Sequence, residues 1–242
     1  MGFAIPNKMT KYPLNDGIGF VNLVTTMGDD LTTVNSARVS YGGMSEELTE
    51  RDEKLIKYLA ENKHTSPFRH AFMTFQVKAP EFVARQWYKH IVGASFTAPG
   101  DAISHGWNEI SGRYVEYEPE FYTPKVLREQ AESSKQASKE SNTGLMRTAG
   151  TLLYCYTKES YNQYQKLLDM GVAKEQARMV LPFNTYTEFY WTASLQAVAH
   201  FCALRDHEHA QHEIREYAKA LDEYASEAFP VSFQYLKETH DL

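Results

Sequence analysis

The sequence predicts an α+β fold. Helix-like periodicity fills most of the chain, strand-like stretches are few and separated from one another, and no internal repeat is present. After a short polar N-terminal segment, Gly19 to Thr26 holds apolar residues suited to a strand. Asp29 to Val39 reads as a short helix, with Asp29 or Asp30 available to cap it. Thr49 to Glu61 is a clearer helix: Thr49 can cap it, Asp52 takes the place of the capping-box acid, and Leu55, Ile56 and Leu59 form an apolar face. A turn at Ser66-Pro67 leads to Met73-Phe75-Val77, which alternates with Thr74-Gln76-Lys78 as a strand with one buried face does. Glu81 to His90 reads as a helix that brings Gln86, Lys89 and His90 near its C-terminal end. Residues 91 to 107 hold Gly93, Pro99, Gly100 and Gly106 and read as a long loop, a length that points to function or disorder.

In the second half, the Ser- and Lys-rich stretch from Gln130 to Asn142 reads as a mobile segment, either a solvated helix or a linker. Leu145 to Met170 is a long amphipathic helix closed by Gly171, and Lys174 to Met179 a short helix carrying Arg178. Asn184 to Thr192 alternates aromatic residues and threonines as a strand does. Two helices, Ser194 to Leu204 and Gln211 to Phe229, finish the pattern.

Composition narrows the function. A chain of 242 residues with 43% hydrophobic and 23% charged residues is long enough to bury a real core. A net charge of −6 argues against a general nucleic-acid binder, so an anionic ligand must be held by arginines concentrated locally. The two cysteines, Cys155 and Cys202, lie in apolar, helix-like surroundings and read as core residues. They form neither a disulfide framework nor a Cys-x-x-Cys pair, which fits a reducing cytoplasm. No apolar run approaches the ~18 residues of a membrane span, and the N-terminus lacks a signal-peptide pattern. Sixteen tyrosines and thirteen phenylalanines offer stacking surface to a ring-shaped ligand.

Chemistry concentrates in three clusters. Asn108-Glu109-Ile110-Ser111-Gly112-Arg113-Tyr114 packs a carboxylate, a hydroxyl, a guanidinium and a phenol around one glycine, and pairs across the long loop with Gln86, Lys89 and His90. Glycine permits close backbone approach, and a guanidinium presents a planar fork suited to phosphate. Arg178 lies in Gln176-Ala177-Arg178-Met179-Val180-Leu181-Pro182. Arg205 lies in Leu204-Arg205-Asp206-His207-Glu208-His209-Ala210-Gln211, between the last two helices. Three arginines from distant segments suit a pocket for a phosphate and a polar base.

Together these clusters resemble the flavin-dependent thymidylate synthase family, over roughly Gly19 to Leu236. Further anchors are Ser36-Ala37-Arg38-Val39-Ser40, His64-Thr65-Ser66-Pro67-Phe68 and Phe82-Val83-Ala84-Arg85-Gln86-Trp87. The resemblance implies one α+β domain over residues 1–242, helices on a small mixed or antiparallel sheet, assembled as a homotetramer with active sites between subunits. It implies methylation of dUMP to dTMP with FAD, with 5,10-methylenetetrahydrofolate as carbon donor and NADPH as reductant. By position, dUMP contacts would come from Gln86, Trp87, Tyr88, Lys89, Glu109, Ile110, Ser111, Gly112, Arg113, Arg178 and Arg205, with Arg178 serving a neighbouring subunit's site. Arg205 is the implied catalytic residue, a fixed positive charge that favours ionisation of the uracil ring. FAD would be held by Ser40, His64, Ser66, Lys89, His90, Ile91, Glu109, Ser194, Gln196, His200 and His209.

The departures are specific. Where the family has Arg-His-Arg, seven residues and Ser, this chain has Lys89-His90-Ile91, nineteen residues and Ser111. Lysine still binds phosphate as a point charge, whereas isoleucine cannot. Between Gly93 and Trp107 no Lys or Arg restores the lost charge. Gln196 and His200 stand where the family commonly has Arg and Asn, and Arg69 where it usually has an acid; Arg69 is therefore a candidate replacement cation, and Phe96 or Trp107 a candidate partner for a ligand ring.

Blander readings compete. The Asn108 to Tyr114 run suits a capped turn, and Ser111 has no adjacent base to make it a nucleophile. His200, His207, His209 and His212 lack a metalloprotease spacing, so no metal site is expected. The strand around Tyr186, Phe189, Tyr190 and Trp191 reads as core or subunit interface, and the charged helix from Glu213 to Glu227 as a solvated face. The rival functions are a same-scaffold enzyme making another 5-substituted pyrimidine nucleotide, such as the hydroxymethyl product, and a nucleotide-binding protein without flavin.

Overall fold

The structure, a computed structural model, describes residues 10–90, 106–116, 120–132 and 137–240. The expectations placed on Ile91, Phe96 and the rest of 91–105 lie outside the described residues. The chain opens with β1 (Phe20–Met27) and passes Gly28 into α1 (Asp30–Arg38), a one-turn 3-10 helix (Val39–Tyr41) and α2 (Glu50–Glu61). Asp29 caps α1 by accepting from Thr32 N at 2.8 Å, and Asp52 reaches back to Thr49 N at 3.0 Å, so both expected starts are present. A 3-10 turn at Ser66–Arg69 precedes β2 (Phe72–Pro80), which runs directly into α3 (Glu81–Trp87). Then come β3 (Gly106–Glu109), β4 (Arg128–Gln130), β5 (Ser138–Glu140), the long α4 (Gly144–Asp169) and the single-turn α5 (Lys174–Ala177). A 3-10 turn at Arg178–Val180, β6 (Tyr186–Ser194) and helices α6 (Leu195–Arg205), α7 (His212–Ala228) and α8 (Pro230–His240) complete it.

Four strands form one antiparallel sheet in the order β1-β2-β6-β3. The period-2 pattern decides its two faces. Met73, Phe75, Val77 and Ala79 of β2, with Phe189, Trp191 and Ala193 of β6, are buried on one side. On the other, the Thr74 and Thr192 hydroxyls meet at 3.0 Å and Gln76 donates to Glu188 at 2.6 Å, a polar cross-strand ladder. The apolar face is covered by helices. Leu195, Ala197, Val198, Ala199, Phe201 and Cys202 are all buried, so α6 is enclosed nearly all round, with α7 and α8 packed against it. Burying each large apolar side chain of this core contributes roughly 1.5–3 kcal/mol. Among the described residues no helix is long and apolar enough to cross a membrane.

Several expectations need correction. Gly106 and Trp107 belong to strand β3, not to the loop: Gly106 lies so close to Thr192 that a Cβ there would sit 2.7 Å from the threonine Cβ. The glycine marks close strand approach rather than a turn. The Ser-rich stretch contains a hairpin, β4 with β5, pinned by Arg128 donating to Ser138 Oγ at 2.8 Å and Ser138 O at 2.7 Å. Composition alone could not reveal that tertiary lock. α3 stops at Trp87, so Lys89 and His90 lie just past its end. Cys155 is exposed on α4, of which only Thr157 and Tyr164 are buried; Leu145, Leu152, Tyr156 and Met170 form an apolar face uncovered in the single chain. α7 is not simply a solvated face, since Ile214, Tyr217, Leu221, Tyr224 and even Glu213 are buried.

The helix that sequence reading missed is α8. Proline at position 230 reads as a breaker, but a helix's first residue needs no N–H and proline is favoured there. Asp30 supplies the cap: its carboxylate accepts from Val231 N at 3.0 Å and Ser232 N at 2.8 Å while itself 6% exposed. Asp30→Ala leaves one partly buried amide, one buried amide and the helix dipole without a partner, so it should cost about 2–3 kcal/mol. For a chain of this size that corresponds to a melting temperature lower by about 5–10 °C, read by thermal unfolding, with Asp30→Asn losing less.

Candidate active site

The last turn of α3 and the residues after it are the hub. Trp87 points into the core, where its ring lies 4.5 Å from Phe201 and 5.5 Å from both Phe189 and Trp191, centre to centre. That ring is 0% exposed, so its side chain belongs to the core and not to a ligand surface. Locking Trp87 places its neighbours. Gln86 donates to Gln211 Oε1 at 2.7 Å, exposed Tyr88 meets the Trp107 ring edge-on at 5.3 Å, and Lys89 is exposed. His90 is buried, and its Nε2 accepts from Arg205 Nε at 3.0 Å.

That last contact demands a neutral imidazole, because a protonated ring has no lone pair to accept with. The environment enforces it: burial, then the charges of Arg205 and His200, lower the His90 pKa to about 4. His200, whose ring lies 6.1 Å from His90, is shifted down for the same reasons of burial and the Arg205 charge. Arg205 at the end of α6 is thus a partly buried cation held by a neutral acceptor, and its charge stays available to a ligand.

β3 brings the second cluster alongside. Glu109 accepts from Thr187 Oγ1 at 2.6 Å and Trp107 Nε1 at 3.1 Å, and Trp107 stacks on Phe189 at 3.9 Å. Trp107 therefore already packs against two protein rings. Ile110 N continues the ladder to Glu188 O at 2.9 Å, after which a turn closes through Tyr114 N to Ser111 O at 3.0 Å. Gly112 is buried in that turn, Ile110 and Arg113 are exposed, and Ser111 Oγ accepts from Arg113 N at 3.3 Å. The Arg113 guanidinium sits 5.0 Å from the Tyr114 ring centre. Arg178, exposed, donates to Glu175 O at 3.3 Å. The carboxyl of Glu81 is shifted upward by burial and by Glu109, with Arg178 and Arg85 opposing, which puts Glu109 and Arg178 in the electrostatic neighbourhood of the start of α3.

Six of the residues matched to a flavin fall into two groups. Ser40, His64 and Ser66 line a cavity of about 680 Å³ together with Arg38, Arg51 and Tyr58. Arg38 is anchored there by Asp52, buried at the start of α2. Burial pushes the Asp52 pKa up, but hydrogen bonds from Thr49, Arg38 and Ser45 outweigh it and hold the carboxyl at about 2. Sequence reading assigned no role to Arg38 or Arg51. The signal was present, since Arg51, Leu55, Tyr58 and Leu59 fall on one helical stripe and line the cavity together. The second group lies along α6. Ser194 caps that helix, accepting from Ala197 N at 3.3 Å, and buried Gln196 accepts from Arg69 Nε at 2.7 Å. Arg69 thereby bridges the turn bearing Ser66 to the helix bearing His200. His209 sits in an exposed turn, 5.0 Å from the His207 ring and 3.6 Å from Glu208. Among the described residues no group of three or more His, Cys, Asp or Glu is placed to hold a metal.

This donor set fits a dinucleotide flavin: hydroxyls, an imidazole and the cations Arg38, Arg51 and Arg69 offer partners for a diphosphate and polyol.

An unfolded histidine titrates near 6.5 and His90 at about 4, so between these values the unfolded chain binds the extra proton and stability falls as pH drops. The loss should reach ~2–3 kcal/mol by pH 4. His90→Gln, which keeps a neutral acceptor for Arg205, should flatten that part of a stability-versus-pH curve measured by urea unfolding.

Comparison with known proteins follows the same lines. A family model described as thymidylate synthase complementing protein matches residues 22–231. The flavin-dependent thymidylate synthase of Thermus thermophilus is 46% identical over 220 residues, covering 91% of this chain and 76% of that protein. The enzyme of the same description from Thermosipho melanesiensis is 42% identical over 217 residues, 89% of each chain. Among solved structures, the UMP/dUMP methylase PolB from Streptomyces cacaoi bound with 5-Br UMP superposes with a TM-score of 0.77 at 30% identity, covering 92% of this chain and 95% of that one. Its complex with 5-Br dUMP gives 0.78 at 31% identity, over 91% and 95%.

Proposed function

We propose, starting from the fact that this chain belongs to the flavin-dependent thymidylate synthase family, that it methylates dUMP to dTMP. The carbon comes from 5,10-methylenetetrahydrofolate and the reducing equivalents from NADPH. The observation that carries this reading is Arg205, at the end of α6, held by neutral His90 just past the end of α3. A fixed guanidinium beside the uracil stabilises negative charge on the ring as carbon 5 becomes reactive, and it needs no reorganisation at that moment. Its anchor carries no charge, so the field at the ring is not cancelled.

The other residues bind and orient. Arg113 and Ser111 present a guanidinium and a hydroxyl on one turn for the nucleotide phosphate, and Gln86 and Glu109 offer polar groups to the sugar and base. Arg178 serves the corresponding site of a neighbouring subunit. The uncovered apolar face of α4 supports a homotetramer, since exposed Leu145, Leu152 and Tyr156 suit burial between copies. FAD, when bound, supplies hydride transfer between NADPH and the pyrimidine carbon. His64 and Tyr58, edge-on at 6.0 Å, offer aromatic surface in the cavity for the ring of the folate or flavin. Two unpaired cysteines are compatible with a cytoplasmic enzyme.

A second reading has its own support: PolB is described as acting on UMP as well as dUMP, so a ribonucleotide substrate is a specific rival. Mass analysis after incubation with FAD, NADPH, the folate and either dUMP or UMP decides. We expect dTMP from dUMP, and a hydroxymethyl product, or turnover of UMP alone, overturns the reading. Arg205→Ala should lower kcat at least about a hundredfold with a much smaller change in the dUMP KM.

Arg69 takes over the missing flavin cation, and its bond to Gln196 supports this because it fixes the guanidinium between the two halves of the flavin set. Arg69→Ala should weaken FAD about tenfold, measured by quenching of flavin fluorescence, while unchanged affinity removes this role.

A further inference from the structure

Gln86 is the visible end of a chain of hydrogen bonds whose root is buried. Glu213, in the first turn of α7 and 9% exposed, accepts from Tyr122 Oη at 3.3 Å on one oxygen and from Gln211 Nε2 at 3.0 Å on the other. Gln211 Oε1 in turn accepts from Gln86 Nε2 at 2.7 Å, and the same nitrogen lies 3.3 Å from the Phe82 carbonyl oxygen. A carboxylate only accepts, whereas an amide has one accepting and one donating end. With Glu213 at the root, Gln211 must direct its nitrogen inward and its oxygen outward. Gln86 must then give its nitrogen to Gln211. Both of its N–H groups are committed, to Gln211 and to Phe82, and the oxygen is the atom it offers elsewhere.

We propose that Glu213 is a positioning residue which, acting through Gln211, fixes Gln86 as a hydrogen-bond acceptor toward the nucleotide; this rests on the reading of Gln86 as a dUMP contact given above. An acceptor selects a donor, a sugar hydroxyl or a ring N–H, and disfavours phosphate oxygens, which only accept. The relay therefore helps set which end of the nucleotide lies at α3, leaving the phosphate to the arginines. The root is secure on three counts. A carboxylate in the first turn of a helix is favoured by the helix dipole. Tyr122 is 7% exposed, and its hydroxyl is shifted far upward by burial and by the Glu213 charge, so it stays a donor. Both carboxylate oxygens are already occupied by donors, one from Tyr122 and one from Gln211.

The test reverses the polarity at an exposed position. Gln211→Lys keeps a donor for Glu213 but offers only donors to Gln86, which must then turn over and present its nitrogen. The dissociation constant of dUMP from the flavin-loaded enzyme should rise about tenfold, even though an added positive charge alone would tighten an anion, and kcat should change less than threefold. Glu213→Gln can root the chain in either sense, so its affinity should fall only about twofold, the fraction of correctly turned Gln86. In a Gln86→Ala background neither change should weaken dUMP further. Unaltered affinity in Gln211→Lys, or the same penalty with and without Gln86, overturns the relay. If the wild-type enzyme binds no dUMP, the proposed function itself falls; if it binds and the penalties add, only the relay does.

Discussion

The packing of Trp87 is the constraint from which the site follows. One indole fills the space between β6, α6 and α7, touching Phe189, Trp191, Phe201 and Tyr217. Because α3 is only two turns long, fixing that ring fixes the direction of every neighbouring side chain. Gln86 is delivered to Gln211, Tyr88 to Trp107 and His90 to Arg205. A site assembled on the rim of a close-packed core inherits its rigidity, which polar contacts at a surface could not supply alone.

Electrostatics is handled locally rather than by bulk charge. In a chain of net charge −6, three of the arginines at the candidate site are each steered by a specific acceptor. Arg205 leans on a neutral imidazole and Arg69 on a neutral amide, so both keep their full charge for a ligand. Arg38 is different: it is bound to the buried Asp52 carboxylate, and its role is to shape the cavity wall as much as to attract an anion. Arg51 lines the same cavity beside it.

Local signals were legible in the sequence and tertiary ones were not. Thr49 and Asp52 announced the start of α2, and the alternation through Met73, Phe75 and Val77 announced β2 with its buried face, because each depends on spacing alone. The resemblance named His90 and Arg205 from distant segments, and the structure brings that pair into contact, whereas Glu109 meets Thr187 and Gln86 meets Gln211, neither of them a matched site residue. Gly106 was misread because a glycine that serves strand approach looks identical to one that serves a turn. The hairpin of β4 and β5 depends on Arg128 finding Ser138, and Trp87 looked like a ligand residue until its surroundings were known. Arg51 was overlooked since a charged residue on an amphipathic helix ordinarily faces water.

The bond between Asp30 and the start of α8 joins residues 202 positions apart. Neither partner can settle before the other arrives: the acid has only water to satisfy it without those amides, and the amides have no cap without the acid. The contact therefore ties α1 and α8 into one cooperative unit and belongs to the late steps of folding, as long-range contacts generally do.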